Sequence, residues 1–120
     1  PFGNQKKVTL RNILFVQSEA IALPESSAEM KKLLQVMKSV PGLYIKISGH
    51  TDNIGDKGLL QELSESRAQT IKDYLVENGI NPVRIEIEGF GDKVPLNENR
   101  TEEERKRNRR VEISVIEKNN

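Results

Sequence analysis

The 120-residue sequence predicts an α+β fold, in which a mixed β-sheet has helices packed on one face. Four short segments alternate apolar with polar residues, a pattern typical of strands that bury one face. Two intervening segments repeat apolar residues at helical spacing, so each carries one apolar stripe. Because the elements follow the order β-α-β-α-β-(α)-β, two helices over one face of the sheet would bury both kinds of apolar surface.

The first strand is predicted from Val8 and Leu10 to the apolar run at residues 13–15. Ser26 and Glu29 then form the pattern of a capping box, in which each side chain satisfies a free N–H at a helix start. The apolar stripe of this first helix consists of Met30, Leu33, Leu34 and Met37. The Pro-Gly pair at residues 41–42 predicts its end.

The second strand is predicted from an alternation whose apolar members are Leu43, Ile45 and Ile47. A polar loop, residues 49–58, follows it. The second helix is predicted from about Leu59 to Asn78. Gly79 predicts its end, since glycine readily adopts the left-handed conformation that closes many helices.

The third strand is predicted where Ile85 and Ile87 alternate with glutamates. A long loop begins with the Gly-Phe-Gly-Asp sequence at residues 89–92. Thr101 and the three glutamates after it predict a short helix, because acids are favourable near the positive end of a helix dipole. The apolar members of the last strand are Val111, Ile113 and Val115.

Length and composition favour one domain, residues 1–120. No apolar run approaches the roughly 20 residues that a helix needs to cross a bilayer. The chain begins at Pro1 without a signal peptide, which predicts a domain excised from a larger protein. Any membrane contact is therefore expected only through the missing part of that protein.

The residue content argues against an enzyme, a metal protein and a nucleic-acid-binding protein. There is no cysteine and His50 is the only histidine, so we predict no catalytic set, no metal site and no cofactor. His50 is expected to shape a loop through a hydrogen-bonded ring. The net charge is +1, and glutamates interleave with the basic cluster at residues 100–110, so no nucleic acid is expected as a partner.

One charged residue does not fit the face of the helix on which it lies. At about 100° per residue, Arg67 falls within the apolar arc of the second helix, one turn from Leu63 and from Ile71. A guanidinium there keeps its charge and needs a partner or a route to water. One interpretation is a structural ion pair or an arginine that extends past the helix end. The other is a pocket that recognises a carboxylate, which the planar fork of arginine fits.

Asp52 is the natural companion of Arg67, because it lies in the loop that leads into the same helix. An acid and an arginine at one cleft would bind both charged ends of an amino acid, the acid taking the ammonium and the arginine the carboxylate. The alternative for Asp52 alone is an aspartate that forms the turn.

Four motifs in this sequence resemble those of the OmpA-like C-terminal domain, in the same order and at similar spacings. They are Gly-His-Thr-Asp at 49–52, Leu-Ser-Glu-Ser-Arg-Ala at 63–68, Gly-Phe-Gly-Asp at 89–92 and Asn-Arg-Arg-Val-Glu-Ile at 108–113. The resemblance extends from about Val8 to Ile116. It implies a domain that binds peptidoglycan through the diaminopimelate of the stem peptide. In that family the residues at Asp52 and Arg67 take the ammonium and the carboxylate, and the residue at Arg109 lines the pocket.

The sequence departs from the family pattern at two places near the expected pocket. Leu60 stands where the family usually has asparagine, and residues 15–18 replace a more acidic run that ends the first strand. The predicted ligand-binding set therefore comprises Asp52, Arg67, Arg109, Thr51, Leu60 and Ser18.

The resemblance also implies a location. It predicts a periplasmic domain that anchors an outer-membrane or lipid-anchored protein to the cell wall. The alternative is the same fold acting as a protein-interaction module that has a weakened or lost peptidoglycan site.

Overall fold

A computed structural model describes residues 12–116 of the chain. Its strands are β1 (Ile13–Leu14), β2 (Tyr44–Gly49), β3 (Ile85–Gly89) and β4 (Arg110–Ile116), and its helices are α1 (Ser27–Ser39), α2 (Lys57–Glu77) and α3 (Glu102–Asn108). The four strands form one sheet in the order β1-β4-β2-β3. β2 and β3 are parallel and the other pairs antiparallel, which confirms the predicted mixed sheet.

The core lies between the inner face of the sheet and the two longer helices. Ile45 and Ile47 of β2 stand level with isoleucines of β3 on one side and with apolar residues of β4 on the other. Leu33 and Met37 of α1 belong to the same cluster, as do three residues of α2: Ala68, Ile71 and Leu75. Each alternating strand therefore buries the face that its sequence predicts. Within residues 12–116 no helix combines the length and the apolar character that a membrane crossing needs.

The predicted capping box at the start of α1 is wrong. The Ser26 side chain makes no capping bond, and its Oγ instead accepts a hydrogen bond from the backbone N–H of Leu14, 2.9 Å away. Ser26 belongs to a short 3-10 turn, Pro24–Ser26, that precedes the helix. The hydrogen bond between Ser26 and Leu14 thus takes the place of the predicted capping bond. Val8 and Leu10, predicted in the first strand, lie outside the described residues.

The starts of the other two helices follow ordinary capping chemistry. Asp56 caps α2 by accepting from the N–H groups of Gly58 and Leu59, so this helix begins two residues before its predicted start. Thr101 caps the predicted short helix α3 by accepting from the N–H of Glu104. Gly79, just beyond α2, has φ +103°, as its predicted role in ending the helix requires.

α2 lies unusually close to the ends of β2 and β3, and two glycines permit this approach. Gly49 and Gly89 are paired neighbours in the sheet. A Cβ at Gly49 would lie 1.9 Å from the carbonyl oxygen of Ser64, and a Cβ at Gly89 would lie 2.5 Å from the Ser64 Oγ. This close packing places the next turn of α2, which carries Arg67, beside the loop that follows β2.

Candidate ligand-binding site

Asp52 and Arg109 form a buried ion pair beside the end of β2. The Arg109 Nη1 donates to the Asp52 Oδ2 at 3.0 Å, and each side chain is 5% exposed. The other carboxylate oxygen of Asp52 accepts from the N–H of Ile54. The antiparallel pairing of β2 with β4 brings the two residues together, since Asp52 follows β2 and Arg109 immediately precedes β4.

Arg67 is fully buried in the same region and is bound by backbone oxygens. Its Nε donates to the carbonyl of Glu19, its Nη1 to that of His50 and its Nη2 to that of Val16, at 2.9–3.1 Å. Burial, opposed by the charge of Asp52 and assisted by that of Arg109, lowers the pKa of Arg67 to about 10. Arg67 therefore remains a cation at neutral pH, and its charge is offset by Asp52 without a direct hydrogen bond between them in the structure.

The loop at residues 16–20 covers the guanidinium of Arg67. Two of the three carbonyls bound to Arg67 come from this loop, and the hydroxyl of Thr70, one turn along α2, donates to a third loop carbonyl, that of Ala20. Ser18 lies in the loop, exposed, with φ +62°. Ser18 thus belongs to the loop that covers the Arg67 guanidinium, and α2 lies beneath this loop.

Glu102, at the start of α3, is a member of this site that the sequence alone did not identify. It accepts from the Nη2 of Arg109, so Arg109 bridges two carboxylates. The hydrogen bond from Arg109 lowers the pKa of Glu102. Burial lowers the pKa of Arg109, but its hydrogen bonds to Glu102 and Asp52 outweigh burial and the net shift is upward. The buried members of the cluster are therefore Arg67, Arg109 and Asp52, and the exposed carboxylate of Glu102 lies at its edge, where Arg105 also approaches it at 3.6 Å.

The remaining predicted residues lie around this charged cluster. The Thr51 hydroxyl donates to the carbonyl of Asp52 at 2.8 Å, and the Thr51 N–H donates to that of Gly91, which fixes the backbone of the loop. Leu60 is 4% exposed and packs beneath the same loop, where its Cδ2 would contact a Cβ placed at Gly55. The structure therefore brings Asp52, Arg67 and Arg109 together, the bonds of Thr51 hold the loop beside them, and the side chain of Leu60 is buried under that loop.

Among residues 12–116 no group of three or more His, Cys, Asp or Glu side chains has the arrangement of a metal site. The cluster instead offers paired opposite charges in a buried setting, which suits a ligand that carries an ammonium and a carboxylate.

The family of the chain follows from comparison with known proteins. A family model described as the OmpA family matches residues 14–109. The chain belongs to the OmpA family. This OmpA-family domain is 38% identical over 104 residues to outer membrane porin F of Pseudomonas fluorescens, a match that covers 87% of the chain and 32% of the porin.

Two other relatives resemble the OmpA-family domain over most of its length. The peptidoglycan-binding protein ArfA of Mycobacterium bovis is 36% identical over 108 residues, which is 90% of this chain and 33% of ArfA. The crystal structure of the peptidoglycan-associated lipoprotein of Burkholderia pseudomallei shares the fold with a TM-score of 0.82 at 24% identity, covering 88% of this chain and 90% of that one. The chain thus spans about a third of the two curated relatives.

His50 of the OmpA-family domain has a different environment from the one that the sequence predicts. Its ring is 2% exposed and stacks on Phe90, with the ring centroids 5.3 Å apart and the planes 9° from parallel. Neither ring nitrogen has a hydrogen-bond partner among the described residues, so the expected hydrogen-bonded ring is wrong. The nearest carboxylate oxygen, from Glu112, is 3.8 Å from the Nε2, too far for a hydrogen bond.

The environment of His50 predicts a loss of stability in mild acid. Burial first, and then the charge of Arg110, lower the pKa of His50 to about 4, although Glu112 raises it. The unfolded chain takes up this proton near pH 6.5. The stability from a neutral His50 is therefore complete above pH 6.5 and is lost as the pH falls toward 4, by on the order of 3 kcal/mol.

Urea unfolding from pH 7 to 4 would measure this loss, with His50→Phe as the matched variant because phenylalanine keeps a stacked ring and does not titrate. The variant should lose less stability than the wild type over this range. If the free energy of unfolding fell equally with pH in the two proteins, the loss could not be assigned to His50.

Proposed function

We propose that this OmpA-family domain binds peptidoglycan non-covalently and so anchors a longer protein to the cell wall. The observation that carries the proposal is the buried grouping of Asp52, Arg67 and Arg109 from three separate motifs. The name of ArfA, a peptidoglycan-binding protein, supports the same partner. Anchoring needs no chemical step, and the proposed role is accordingly not that of an enzyme.

The ligand group of this proposal is the diaminopimelate of the stem peptide. Asp52 takes its ammonium, Arg67 takes a carboxylate, and Arg109 lines the pocket next to both. The charges support this assignment, because groups of both signs, the guanidinium groups of Arg67 and Arg109 and the carboxylate of Asp52, are buried together. A zwitterionic group can pair with both signs at once, whereas a simple cation or anion can pair with only one of them.

Access to Arg67 requires that the loop at residues 16–20 move. The guanidinium is fully buried, and the carbonyls of Val16 and Glu19 occupy donor positions that a ligand carboxylate would take. The carboxylate therefore replaces these carbonyls when it binds. Because existing hydrogen bonds are exchanged for new ones, the affinity of a single site is modest, and repeated stem peptides with a tethered domain supply avidity.

The location that fits this role is the periplasm, with the longer protein attached to the outer membrane. Porin F, an outer-membrane protein by name, contains a related segment that is about a third of its length. Membrane attachment through another part of the longer protein would leave this domain free to reach the wall.

A second candidate function is a protein-interaction module that has lost the wall ligand. The complete burial of Arg67 favours it, since an arginine that serves only the fold needs no access. The apolar Leu60 near the expected pocket favours it too. Binding measurements separate the two functions.

Asp52→Asn is expected to weaken binding of a diaminopimelate-containing stem peptide by roughly 10- to 100-fold, because one charged hydrogen bond is worth about 1.5–3 kcal/mol. Calorimetric titration measures the change. A stem peptide with lysine in place of diaminopimelate lacks one carboxylate and should bind the wild type more weakly.

Asp56→Asn is the matched control for this experiment. Asp56 lies in the same loop, is exposed and caps α2, a task that asparagine performs equally well. It should bind as the wild type does. Equal binding by Asp52→Asn and Asp56→Asn, with both folded, would contradict the assigned ammonium contact.

A further inference from the structure

A groove of about 760 Å³ lies between α2 and β3, on the opposite flank of α2 from the loop at residues 16–20. Its walls are mainly acidic and polar: Gln61, Glu62, Glu65 and Gln69 from the helix, and Ile87 and Glu88 from the strand. No lysine or arginine lines it among the described residues. The groove plays no part in the wall-binding site described above.

One side of the groove is the open edge of the sheet. β3 is the last strand in the order β1-β4-β2-β3 and pairs only with β2 among residues 12–116. Glu86 and Glu88 are exposed, and the side-chain amide of Gln61 donates to the carbonyl of Gly89 at the end of the strand. An edge of this kind presents unpaired backbone groups to which an extended segment can add as another strand.

The charges at this edge select the kind of segment that can add. A second copy of β3 would place glutamates opposite glutamates, which is destabilising in a pair of adjacent strands. The side chains of an added strand would alternate between two faces, and those on the side of α2 would meet Glu62 and Glu65, where lysine or arginine is favourable. On the other face of β3, Glu88 already forms an ion pair with Lys46 of β2, so Glu62 and Glu65 carry most of the selection for basic residues.

We propose that the edge of β3 and the groove beside it bind an extended segment of a partner protein that carries lysine or arginine at alternate positions. The segment adds to β3 as a fifth strand and directs its basic side chains toward Glu62 and Glu65 on the side of α2. Because Arg67 and Thr70 lie on the other flank of α2, the domain binds the wall ligand and the basic segment at the same time.

An NMR titration of the labelled domain tests this proposal with a synthetic peptide of about eight alternating lysine and valine residues, long enough to span a typical strand. The amide signals of β3 at residues 86–88 are expected to shift, and these amides should exchange more slowly with solvent. The response should be the same whether or not a diaminopimelate stem peptide is present. Absence of a local response at millimolar peptide would overturn the proposal.

Two controls separate strand addition from general attraction between opposite charges. Glu62→Lys combined with Glu65→Lys should weaken binding about tenfold, whereas Glu77→Lys with Glu103→Lys, which makes the same change of net charge elsewhere, should not. A peptide with proline in place of valine keeps the charge but loses half of its N–H donors and should leave residues 86–88 unchanged. Equal binding by the proline peptide or by both charge variants would overturn the proposal.

Discussion

Replacement of Gly49 by alanine should destabilise the domain by about 4 kcal/mol or more, enough to unfold a protein of ordinary stability. The added Cβ would lie 1.9 Å from the carbonyl oxygen of Ser64, which is backbone and cannot turn aside as a side chain can. α2 would have to move away from β2, and the contacts of Arg67 would move with it. Urea unfolding followed by circular dichroism measures the loss.

Gly42→Ala is the matched control for this replacement. Gly42 lies before β2, and a Cβ there meets nothing within 4 Å. Its stability should stay within about 0.5 kcal/mol of the wild type. A Gly49→Ala domain as stable as Gly42→Ala would show that α2 does not lie as close to the sheet as described.

Arg67→Ala should also be strongly destabilising, by about 3–5 kcal/mol. The change leaves the carbonyls of Val16, Glu19 and His50 without their donor, removes the cation that offsets Asp52 and opens a cavity. Thermal melting measures this loss, and Arg107→Ala, at an exposed position, is the control. A melting temperature for Arg67→Ala equal to that of the control would contradict the role of Arg67 in holding the loop at residues 16–20.

These two expectations decide which variant can test binding. A variant of Arg67 that fails to fold says nothing about the ligand. Asp52→Asn removes one anion of a buried ion pair, but it keeps the volume of the side chain and an oxygen that can accept from Arg109, so it disturbs the fold less than Arg67→Ala. Thermal melting beside each titration keeps the two effects apart.

Much of the fold could be predicted from the sequence, because the spacing of the apolar residues indicates which face of each strand and helix is buried. Arg67 was found in the same way, as a charge within an apolar arc. Its partners could not be predicted, because they are backbone carbonyls, two of them about 50 residues away, that carry no signature in the sequence. Arg84 shows the same limit, since its guanidinium binds three carbonyls around the end of α1, those of Met37, Val40 and Leu43.

Two contacts that the sequence did not reveal share one physical cause. Ser26 carries a correct local capping pattern, yet its hydroxyl accepts from Leu14 in the neighbouring strand. Glu102 looked like a helix-start acid, and the same carboxylate also binds Arg109. In both cases a polar side chain near a helix start meets a partner that only the tertiary fold brings close.

The most direct test of wall binding is co-sedimentation of the domain with purified sacculi that contain diaminopimelate. The wild type and Asp56→Asn are expected to pellet with the sacculi, free diaminopimelate should release them, and Asp52→Asn should remain largely in the supernatant. Failure of the folded wild type to pellet at any concentration tested, or pelleting that neither free diaminopimelate nor Asp52→Asn reduces, would contradict binding through this site.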